Sequence, residues 1–458
     1  MTSRAVVVGG GITGLTAAFD LARAGWRVDV FEADTVLGGK IRSLPVGDRM
    51  VDAGPDTFLA RAPGGVGLCR DLGLAGELTS PVAEVPAYLV RDGQLHAMPA
   101  GAVLGVPTDL DALTTSGVVS PEGAARAADD LTAPPTDLAD DVSVGAVCRA
   151  RLGDEVTDRL IDPLLGGINA SDLDRLSLRA GAPLLAAALE RSPSLIEGMR
   201  ALRPTAGPAL GDTRPEPVFH SLRGGLARLV ETLVAALHQF DGRVTLATGA
   251  AVTDLADLGT ADAVIVTVPT FVAGPLLAPR SPAAAAALAD VGYASVAQVT
   301  MELPAEAVAV DLDAAGILFP RADGTVITAA TWFSTKWEQY RRPGTVLIRM
   351  TSGRYGDERS ASMDDLTLIA TLRDELGAVV PITGEARAVR VVRWPRALPQ
   401  YDVGHGHLVH RIMEAVAADL DGIHLAGAAY TGIGIPACIE AARATVRTVL
   451  DTGSRPGG

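Results

Sequence analysis

The amino-acid sequence predicts an α/β fold in which a Rossmann-type dinucleotide-binding domain is joined to a mixed-sheet substrate domain and an inserted, mostly helical domain. Three observations predict it. A β-branched run at residues 4–8 leads into a glycine cluster and then into a helical pattern, which is how a βαβ unit begins. Residues 87–215 combine helical patches with proline-punctuated loops. The chain closes on a strand, a glycine-rich turn and a helix.

These patterns divide the chain into three domains. The 458 residues suffice for two or three domains, each with a core of its own. The dinucleotide-binding domain is assigned to residues 1–64, 216–292 and 421–458. The substrate domain is assigned to residues 65–86 and 293–420, and residues 87–215 form the helical domain.

Composition excludes several classes of function. The net charge of −15 argues against nucleic-acid binding and against electrostatic attraction to anionic lipid. No run of about 18 uncharged apolar residues is present, and the N-terminal residues lead into a strand instead of resembling a signal peptide. The sequence therefore predicts a cytoplasmic protein with at most peripheral membrane contact. The three cysteines are far apart and odd in number, which argues against a disulfide framework or a zinc site.

The N-terminal glycine cluster is the strongest local signal, and it consists of Gly9, Gly10, Gly11, Ile12, Thr13 and Gly14. The first glycine suits a tight turn, the third suits the close approach of a pyrophosphate, and the last suits close packing of helix on strand. The N-terminus of the helix offers free N–H groups to phosphates. Glu32 lies 18 residues after Gly14, where a carboxylate binds a ribose hydroxyl pair and repels the 2′-phosphate of NADP.

A second glycine pair, Gly38 and Gly39, is followed by Lys40. This arrangement, soon after Glu32, resembles the extended FAD fingerprint of the flavin amine-oxidase superfamily; a glycine turn with solvated cations is the alternative. Only two of the 39 basic residues are lysines, Lys40 and Lys336. A position that keeps lysine in such an arginine-rich chain suggests a need for a compact point charge.

With these pieces in place, the whole chain resembles the bacterial porphyrinogen oxidases of haem synthesis, and specifically their Gram-positive coproporphyrinogen III oxidase branch. The resemblance is carried by residues 9–14 with GGKIRS at 38–43, GPDTFL at 54–59, PQYDVGH at 399–405 and LAGAAYTGIGIPACIEAA at 425–442. MPAGAVLGVPTDL at 98–110 is a softer match. The first stretch is shared with many flavoproteins, whereas those at 399–405 and 425–442 are much more specific.

The resemblance implies FAD as the cofactor. The contacts that it implies are Gly9, Gly10, Gly11, Ile12, Thr13, Gly14, Glu32, Ala33, Lys40, Gly54, Pro55, Asp56, Thr57, Val252, Trp394, Ile433, Gly434 and Ile435. Lys40 would act as a point charge on a phosphate or ribityl oxygen. The N-terminus of the last helix would stabilise the anionic edge of reduced flavin. For Trp394 a place in the core is the alternative.

The resemblance also implies the activity, an oxygen-using six-electron oxidation of coproporphyrinogen III to coproporphyrin III with release of hydrogen peroxide. The porphyrinogen and molecular oxygen are then its partners. A transient contact with another haem-pathway enzyme is also possible. Such chemistry needs orientation and a dry pocket more than it needs a base, and the sequence identifies no catalytic residue.

A substrate that carries carboxylates needs local positive charge in an acidic protein. Arg61, just after the stretch at 54–59, is the first candidate for a propionate contact, with Lys336, Arg341 and Arg342 behind it. A solvated surface cation is the alternative for each of them.

Two further patterns are assigned structural roles. His405, His407 and His410 spell H-x-H-x-x-H, but no second group of ligand types lies nearby in the sequence, so no metal is predicted. His405 is instead a candidate pocket residue. Cys438, one turn into the last helix, is expected to be a packed small side chain.

Other functions stay open at this level. Protoporphyrinogen IX oxidation is the nearest alternative, because the sequence does not identify the pocket residues that would distinguish a substrate with four carboxylates from one with two. A flavin amine oxidase would usually carry Gly-Glu where this chain has Gly427 and Ala428, and an aromatic pair where it has Tyr430. A carotenoid desaturase would lack the stretch at 399–405. A non-catalytic flavin-binding protein is disfavoured by the glycine-rich stretches at both ends of the chain.

Overall fold

A computed structural model of the chain describes residues 2–82, 85–135, 138, 141–203, 217–240, 242–309 and 314–453. Its strands, in chain order, are β1 (Arg4–Val8), β2 (Arg27–Phe31), β3 (Ser43–Val46), β4 (Arg49–Asp52), β5 (Phe58–Leu59), β6 (Leu78–Thr79), β7 (Ala87–Arg91), β8 (Gln94–Ala97), β9 (Phe219–Leu222), β10 (Val244–Ala247), β11 (Ala263–Val266), β12 (Tyr293–Pro304), β13 (Gly316–Leu318), β14 (Ile327–Trp332), β15 (Thr345–Ser352), β16 (Ala388–Pro399) and β17 (Ile423–Leu425).

The α-helices, in chain order, are α1 (Ile12–Arg23), α2 (Pro63–Asp71), α3 (Leu110–Ser116), α4 (Pro121–Ala128), α5 (Val144–Leu152), α6 (Asp154–Val156), α7 (Gly167–Asn169), α8 (Leu178–Gly181), α9 (Pro183–Arg191), α10 (Leu195–Leu202), α11 (Ala227–His238), α12 (Thr270–Leu277), α13 (Pro282–Ala289), α14 (Phe333–Lys336), α15 (Arg359–Ser362), α16 (Asp365–Gly377), α17 (His405–Asp419) and α18 (Ile435–Gly453). A π-helix spans Thr157–Gly166.

A five-stranded parallel sheet forms the nucleotide-binding part, with strand order β10-β2-β1-β11-β17. Its central strand is the β-branched run that the sequence singled out, and this strand is buried on both faces, as expected of a parallel sheet. Because all five strands run the same way, their carboxyl ends meet at one edge. That edge is where doubly wound sheets bind ligands.

Helices cover both faces of this sheet. On one face α1, α11 and α18 share a core, to which α18 contributes Ile435, Ile439, Ala442, Val446 and Val449. These five residues recur at helical spacing and form one apolar stripe. On the other face α12, α13 and α17 pack over β11 and β17. The predicted α/β fold with a Rossmann-type domain is thereby confirmed.

The substrate domain is built on a seven-stranded mixed sheet with strand order β16-β12-β15-β14-β13-β7-β8. Two of its strands, β12 and β16, are twelve residues long. A bulge between Ala294 and Val296 lets β12 and β16 pair over this length. One face of the sheet packs against α16.

The structure differs from the predicted domain boundaries at three places. The helices α2 and α17 fall largely or wholly in ranges assigned to the substrate domain, but their apolar residues lie in the two cores that cover the nucleotide-binding sheet. Residues 87–97 were assigned to the helical domain, but β7 pairs in parallel with β13, and β8 pairs with β7. These two strands therefore belong to the substrate sheet. The sequence pattern missed them because their pairing partner, β13, lies more than 200 residues away along the chain. The predicted boundary between residues 215 and 216 lies outside the described residues.

The helical domain follows β8 and has its own core. Leu113, Val147, Leu160, Leu185 and Ile196 are among its fully buried or nearly fully buried side chains. Among the residues that the structure describes, no helix combines the length and the apolarity needed to cross a membrane.

Candidate active site

The glycine cluster forms a cradle at the carboxyl end of β1. Gly9 has φ +110°, and its N–H donates to the carbonyl of Phe31 at 2.8 Å. The N–H of Gly10 donates to the Glu32 carboxylate at 2.6 Å, and the other oxygen of Glu32 accepts from Asp34 N at 2.8 Å. Glu32 thus sits at the tip of β2 beside the cradle. The turn predicted at Gly9 is confirmed.

Two glycines of the cluster differ in what surrounds them. A Cβ on Gly14 would lie 1.9 Å from the carbonyl oxygen of Gly9, so Gly14 allows α1 to touch the first turn. A Cβ on Gly11 would meet nothing within 4 Å. No side chain caps α1, and its first N–H groups therefore stay available to an anion. Gly11 leaves open space where a pyrophosphate was predicted, and the residues present fit such a group.

The second glycine pair packs directly on the first. Gly38 N donates to Gly10 O at 2.8 Å, and a Cβ on Gly39 would lie 3.4 Å from the Cα of Gly11. Gly54 packs against Lys40, the residue that follows this glycine pair, since a Cβ on Gly54 would lie 2.1 Å from Lys40 O. Residues from 9–14, 38–40 and 54 therefore converge.

Lys40 projects from this junction as a cation. No carboxylate pairs with its ammonium within the part of the chain that the structure describes. Desolvation by the surrounding protein lowers the pKa of Lys40, and the thiol of Cys438 opposes this shift. The side chain is nevertheless more than a third exposed, so it can still meet a ligand. An accessible cation that no carboxylate of the described residues neutralises suits a phosphate oxygen.

Lys40→Ala is expected to weaken FAD binding by about ten- to a hundredfold, the range for loss of one charge-assisted hydrogen bond. The purified variant should therefore carry less flavin, measured from the visible absorbance per mole of protein. Arg27→Ala, which removes an exposed cation at the start of β2, should keep the wild-type content. Full flavin occupancy in the Lys40 variant would remove Lys40 from the cofactor contacts.

The loop after β4 is held by a buried ion cluster. Asp56 accepts from Lys336 Nζ at 2.7 Å, from Arg349 Nη2 at 2.9 Å and from Trp337 Nε1 at 3.1 Å. Burial alone would raise the pKa of Asp56, but Lys336 and Arg349 lower it well below its ordinary value. The positive charge of Lys336, predicted as a weaker substrate candidate, is thus bound by Asp56.

Trp394 connects the same loop to the substrate sheet. Its Nε1 donates to Ala53 O at 2.8 Å, and its ring lies 3.9 Å from where a Cβ on Gly54 would stand. The side chain is half-buried. Trp394 therefore stands beside the cradle at the junction of the two sheets.

The last glycine-rich stretch reaches this junction from the other end of the chain. Ile433 and Gly434 precede α18, which begins at Ile435. The Cys438 thiol lies 3.9 Å from the carbonyls of Gly432 and Ile433. Burial raises the pKa of Cys438, while Thr13 and Lys40 act to lower it. The first and last stretches of the chain thus meet at Cys438.

The PQYDVGH stretch supports that terminal loop. Tyr401 donates to Ala428 O at 2.6 Å, and its ring stacks on His405 at a centroid distance of 4.0 Å. His405 is buried, and burial lowers its pKa against the opposing effect of the backbone at Ala429 and Tyr430. His407 and His410 are exposed, so the three histidines do not share one environment.

The remaining predicted residues have varied positions. Val252 follows β10 and is half-buried, and nearby Ala250 N donates to Glu32 O at 2.8 Å. Ala33 and Arg61 are exposed, and Pro55 and Thr57 are half-buried. Two further predicted cations already have acidic neighbours: Arg341 lies 3.5 Å from Glu338, and Arg342 lies 2.7 Å from Asp48.

Sequence reasoning did not find Arg349, Trp337 or Tyr401. A signal for Arg349 existed, since it interrupts the apolar run of β15, and a buried cation requires a partner. Tyr401 lies inside the PQYDVGH stretch, but its contact with Ala428 depends on how two distant segments pack.

The chain is similar in sequence and in structure to known flavoproteins. The chain matches the family model for flavin-containing amine oxidoreductases over residues 12–450. It is 34% identical to the coproporphyrinogen III oxidase of Bacillus subtilis, with 97% of each protein covered. It is 32% identical to the coproporphyrinogen III oxidase of Mycobacterium tuberculosis, with 98% of each covered. It also resembles a crystal structure from Exiguobacterium sp. 255-15, provisionally described as a protoporphyrinogen oxidase, with a TM-score of 0.86 at 31% identity and coverage of 98% and 99%.

Proposed function

The chain belongs to the flavin-containing amine oxidoreductases, within the family of the bacterial coproporphyrinogen III oxidases, and we propose that it oxidises coproporphyrinogen III to coproporphyrin III in haem biosynthesis. The observation that carries the proposal is the convergence of the family's stretches. Residues 9–14, 38–40 and 54, Trp394 and the loop before α18 come from distant parts of the chain and meet at one junction.

FAD is the cofactor of this enzyme. We propose that the glycine cradle and the N-terminus of α1 hold its pyrophosphate, that Glu32 binds its ribose and that Lys40 binds a phosphate or ribityl oxygen. Further proposed contacts are Ala33, Pro55, Asp56, Thr57, Val252, Trp394, Ile433, Gly434 and Ile435. Asp56 would contact FAD through its backbone, because its carboxylate is bound by Lys336, Arg349 and Trp337.

When bound, FAD supplies the two-electron acceptor. Conversion of a porphyrinogen into a porphyrin removes six electrons and six protons in three two-electron steps. Each step removes one hydride from a bridging carbon and one proton. Over the three steps two of the protons come from pyrrole nitrogens and the third comes from the fourth bridging carbon, which leaves four CH bridges and two N–H groups. Molecular oxygen takes up the two electrons and two protons as hydrogen peroxide, so three molecules of peroxide form per porphyrin.

The chain's own residues orient the substrate and exclude water. We propose that Arg61 binds a propionate of the macrocycle, because it is exposed and follows the loop at 54–57 by only a few residues. His405 is the proposed pocket residue: its stack on Tyr401 supports the loop that leads to α18. The cytoplasm as location and a transient contact with a haem-pathway enzyme stay predictions.

Protoporphyrinogen IX is the second candidate substrate. It is favoured by the description of the Exiguobacterium structure. The two substrates differ in the number of their carboxylates, four against two, so positive charge at the pocket should distinguish them. An amine oxidase is a weaker candidate, because Ala428 stands where that class usually carries a carboxylate, and its carbonyl is bound by Tyr401.

Initial rates with each porphyrinogen, followed by porphyrin fluorescence, test the proposal. Coproporphyrinogen III should give the higher kcat/KM, with three peroxides per porphyrin. Arg61→Met should raise the KM for coproporphyrinogen by about tenfold, whereas Arg70→Met, which removes an exposed cation on α2, should not. A higher kcat/KM with protoporphyrinogen would overturn the choice of substrate. A bound flavin that neither porphyrinogen bleaches without oxygen would overturn the oxidase activity itself.

A further inference from the structure

We propose that Arg349 and Lys336 are positioning residues of the cofactor site, which hold the loop at residues 52–57 in place from the substrate domain. The inference rests on the proposed cofactor contacts at Gly54, Pro55 and Thr57. It does not depend on which porphyrinogen is the substrate. Neither residue belongs to the predicted cofactor contacts.

Arg349 binds the loop at three points. Its Nη1 donates to Gly54 O at 2.9 Å and to Asp52 O at 3.4 Å, and its Nη2 donates to the Asp56 carboxylate at 2.9 Å. The guanidinium carbon lies 4.5 Å from the centre of the Phe333 ring, which supports it from behind. A planar guanidinium can fix two carbonyls and a carboxylate together because its five N–H groups have fixed directions.

Lys336 and Trp337 complete the hold on Asp56. Both donate to Oδ2 of the Asp56 carboxylate, whereas Arg349 donates to Oδ1. The side chains of Asp56, Arg349 and Lys336 are 9%, 8% and 18% exposed, so water competes little for these bonds. The orientation of Asp56, and with it the path of the loop, is therefore determined by the protein.

The partners of the loop come from another part of the fold. The loop follows β4 and lies beside the glycine cradle, whereas Arg349 is on β15 and Lys336 ends α14. Asp56 and Arg349 are 293 residues apart in the chain. Docking of the substrate sheet on the nucleotide-binding part is thus needed before the loop is fixed, and cofactor affinity becomes coupled to that docking.

The cluster also carries charge beneath the loop. Arg349 and Lys336 bring two positive charges to the loop, against the negative charge of Asp56 and, above about pH 6, that of the buried Asp52 carboxylate. A buried ion pair is weak evidence for a role in stability alone, because desolvation offsets most of the attraction. Each positive charge beside a cofactor stabilises its reduced, more negative form, so removal of Lys336 should disfavour reduction whatever the net charge of the cluster. Arg349 and Lys336 therefore act on the FAD site through both the geometry of the loop and its electrostatic potential.

Variants of the full chain can separate these two effects. Arg349→Lys keeps the charge but loses the fork of hydrogen bonds, so it should weaken FAD binding on the order of tenfold. Lys336→Met removes one charge while Arg349 and Trp337 still hold Asp56. It should weaken binding by roughly threefold and shift the flavin midpoint potential to a more negative value. Lys336→Arg should restore both properties.

FAD dissociation constants, from quenching of flavin fluorescence by apoprotein, and midpoint potentials are the readouts. The matched control is Arg342→Met, which breaks an ion pair of the same 2.7 Å length with Asp48 at the exposed surface; it should change neither. If both Arg349→Lys and Lys336→Met bind FAD within about twofold of wild type, the cluster only stabilises the fold and the proposal is wrong. Should Arg349→Lys fail to fold, the potential of Lys336→Met decides: an unchanged value overturns the proposal. No porphyrinogen is used, so a wrong substrate assignment would leave these results untouched.

Discussion

Gly14→Ala is expected to destabilise the protein and to abolish flavin retention, whereas Gly11→Ala should fold normally and only bind FAD more weakly. The added Cβ at Gly14 would stand 1.9 Å from Gly9 O, so α1 would have to move away from β1. Such overpacking costs about 3 kcal/mol. The expected result is a lower melting temperature of the apoprotein together with loss of the yellow colour.

Gly11 provides the matched comparison. Its φ of −77° is ordinary for any residue, and a Cβ there would touch no protein atom within 4 Å. The melting temperature of apo Gly11→Ala should therefore stay close to that of wild type. The new methyl group would fill the space proposed for the pyrophosphate, which should weaken FAD binding by about ten- to a hundredfold. Unchanged FAD affinity in Gly11→Ala would show that the cofactor does not approach this glycine.

The second large effect concerns the stability of the protein as a function of pH. Asp52 is buried, and burial raises its pKa from 3.8 to about 6; Asp56 adds to this shift, while the Ser43 hydroxyl and Leu226 N–H oppose it. The folded state therefore favours the protonated acid more than the unfolded state does. Protonated Asp52 therefore contributes to the free energy of unfolding. This contribution is fully present below about pH 3.8 and is lost as the pH rises through about 6.

Asp52→Asn keeps the shape of the protonated acid at every pH. Its free energy of unfolding should exceed that of wild type increasingly as the pH rises, by about 3 kcal/mol at neutral pH, since each pKa unit corresponds to about 1.4 kcal/mol. Urea denaturation at about pH 4.5 and about pH 7.5 measures the difference. A gap between the two proteins that stays constant with pH would show that Asp52 does not titrate in this range.

Asp48 is the control for that experiment because it lies in the same hairpin but is exposed. The Arg342 guanidinium lowers the pKa of Asp48, so its contribution has the opposite sign and is lost as the pH falls. Asp48→Asn should therefore show no gain in stability over wild type at neutral pH.

The sequence by itself determined the nucleotide-binding unit. The run at residues 4–8, the glycines at 9–14 and Glu32 lie within one βαβ stretch, where local sterics and helix geometry leave few alternatives. A glycine that must accept helix-on-strand contact, such as Gly14, is recognisable because no other side chain fits. The glycine-rich turn before α18 was predicted in the same way, from glycines next to a strand and a helix in one short stretch of sequence.

Only the tertiary structure decided which charges are bound within the protein. Lys336 was interpreted as a substrate candidate, but it pairs with Asp56 across 280 residues of sequence. β7 and β8 belong to the substrate sheet because β7 pairs with the distant β13. Local sequence patterns indicate periodicity and turns, and hence helices, strands and loops. The partner of a buried charge or of a strand edge depends instead on which surfaces meet when the domains pack.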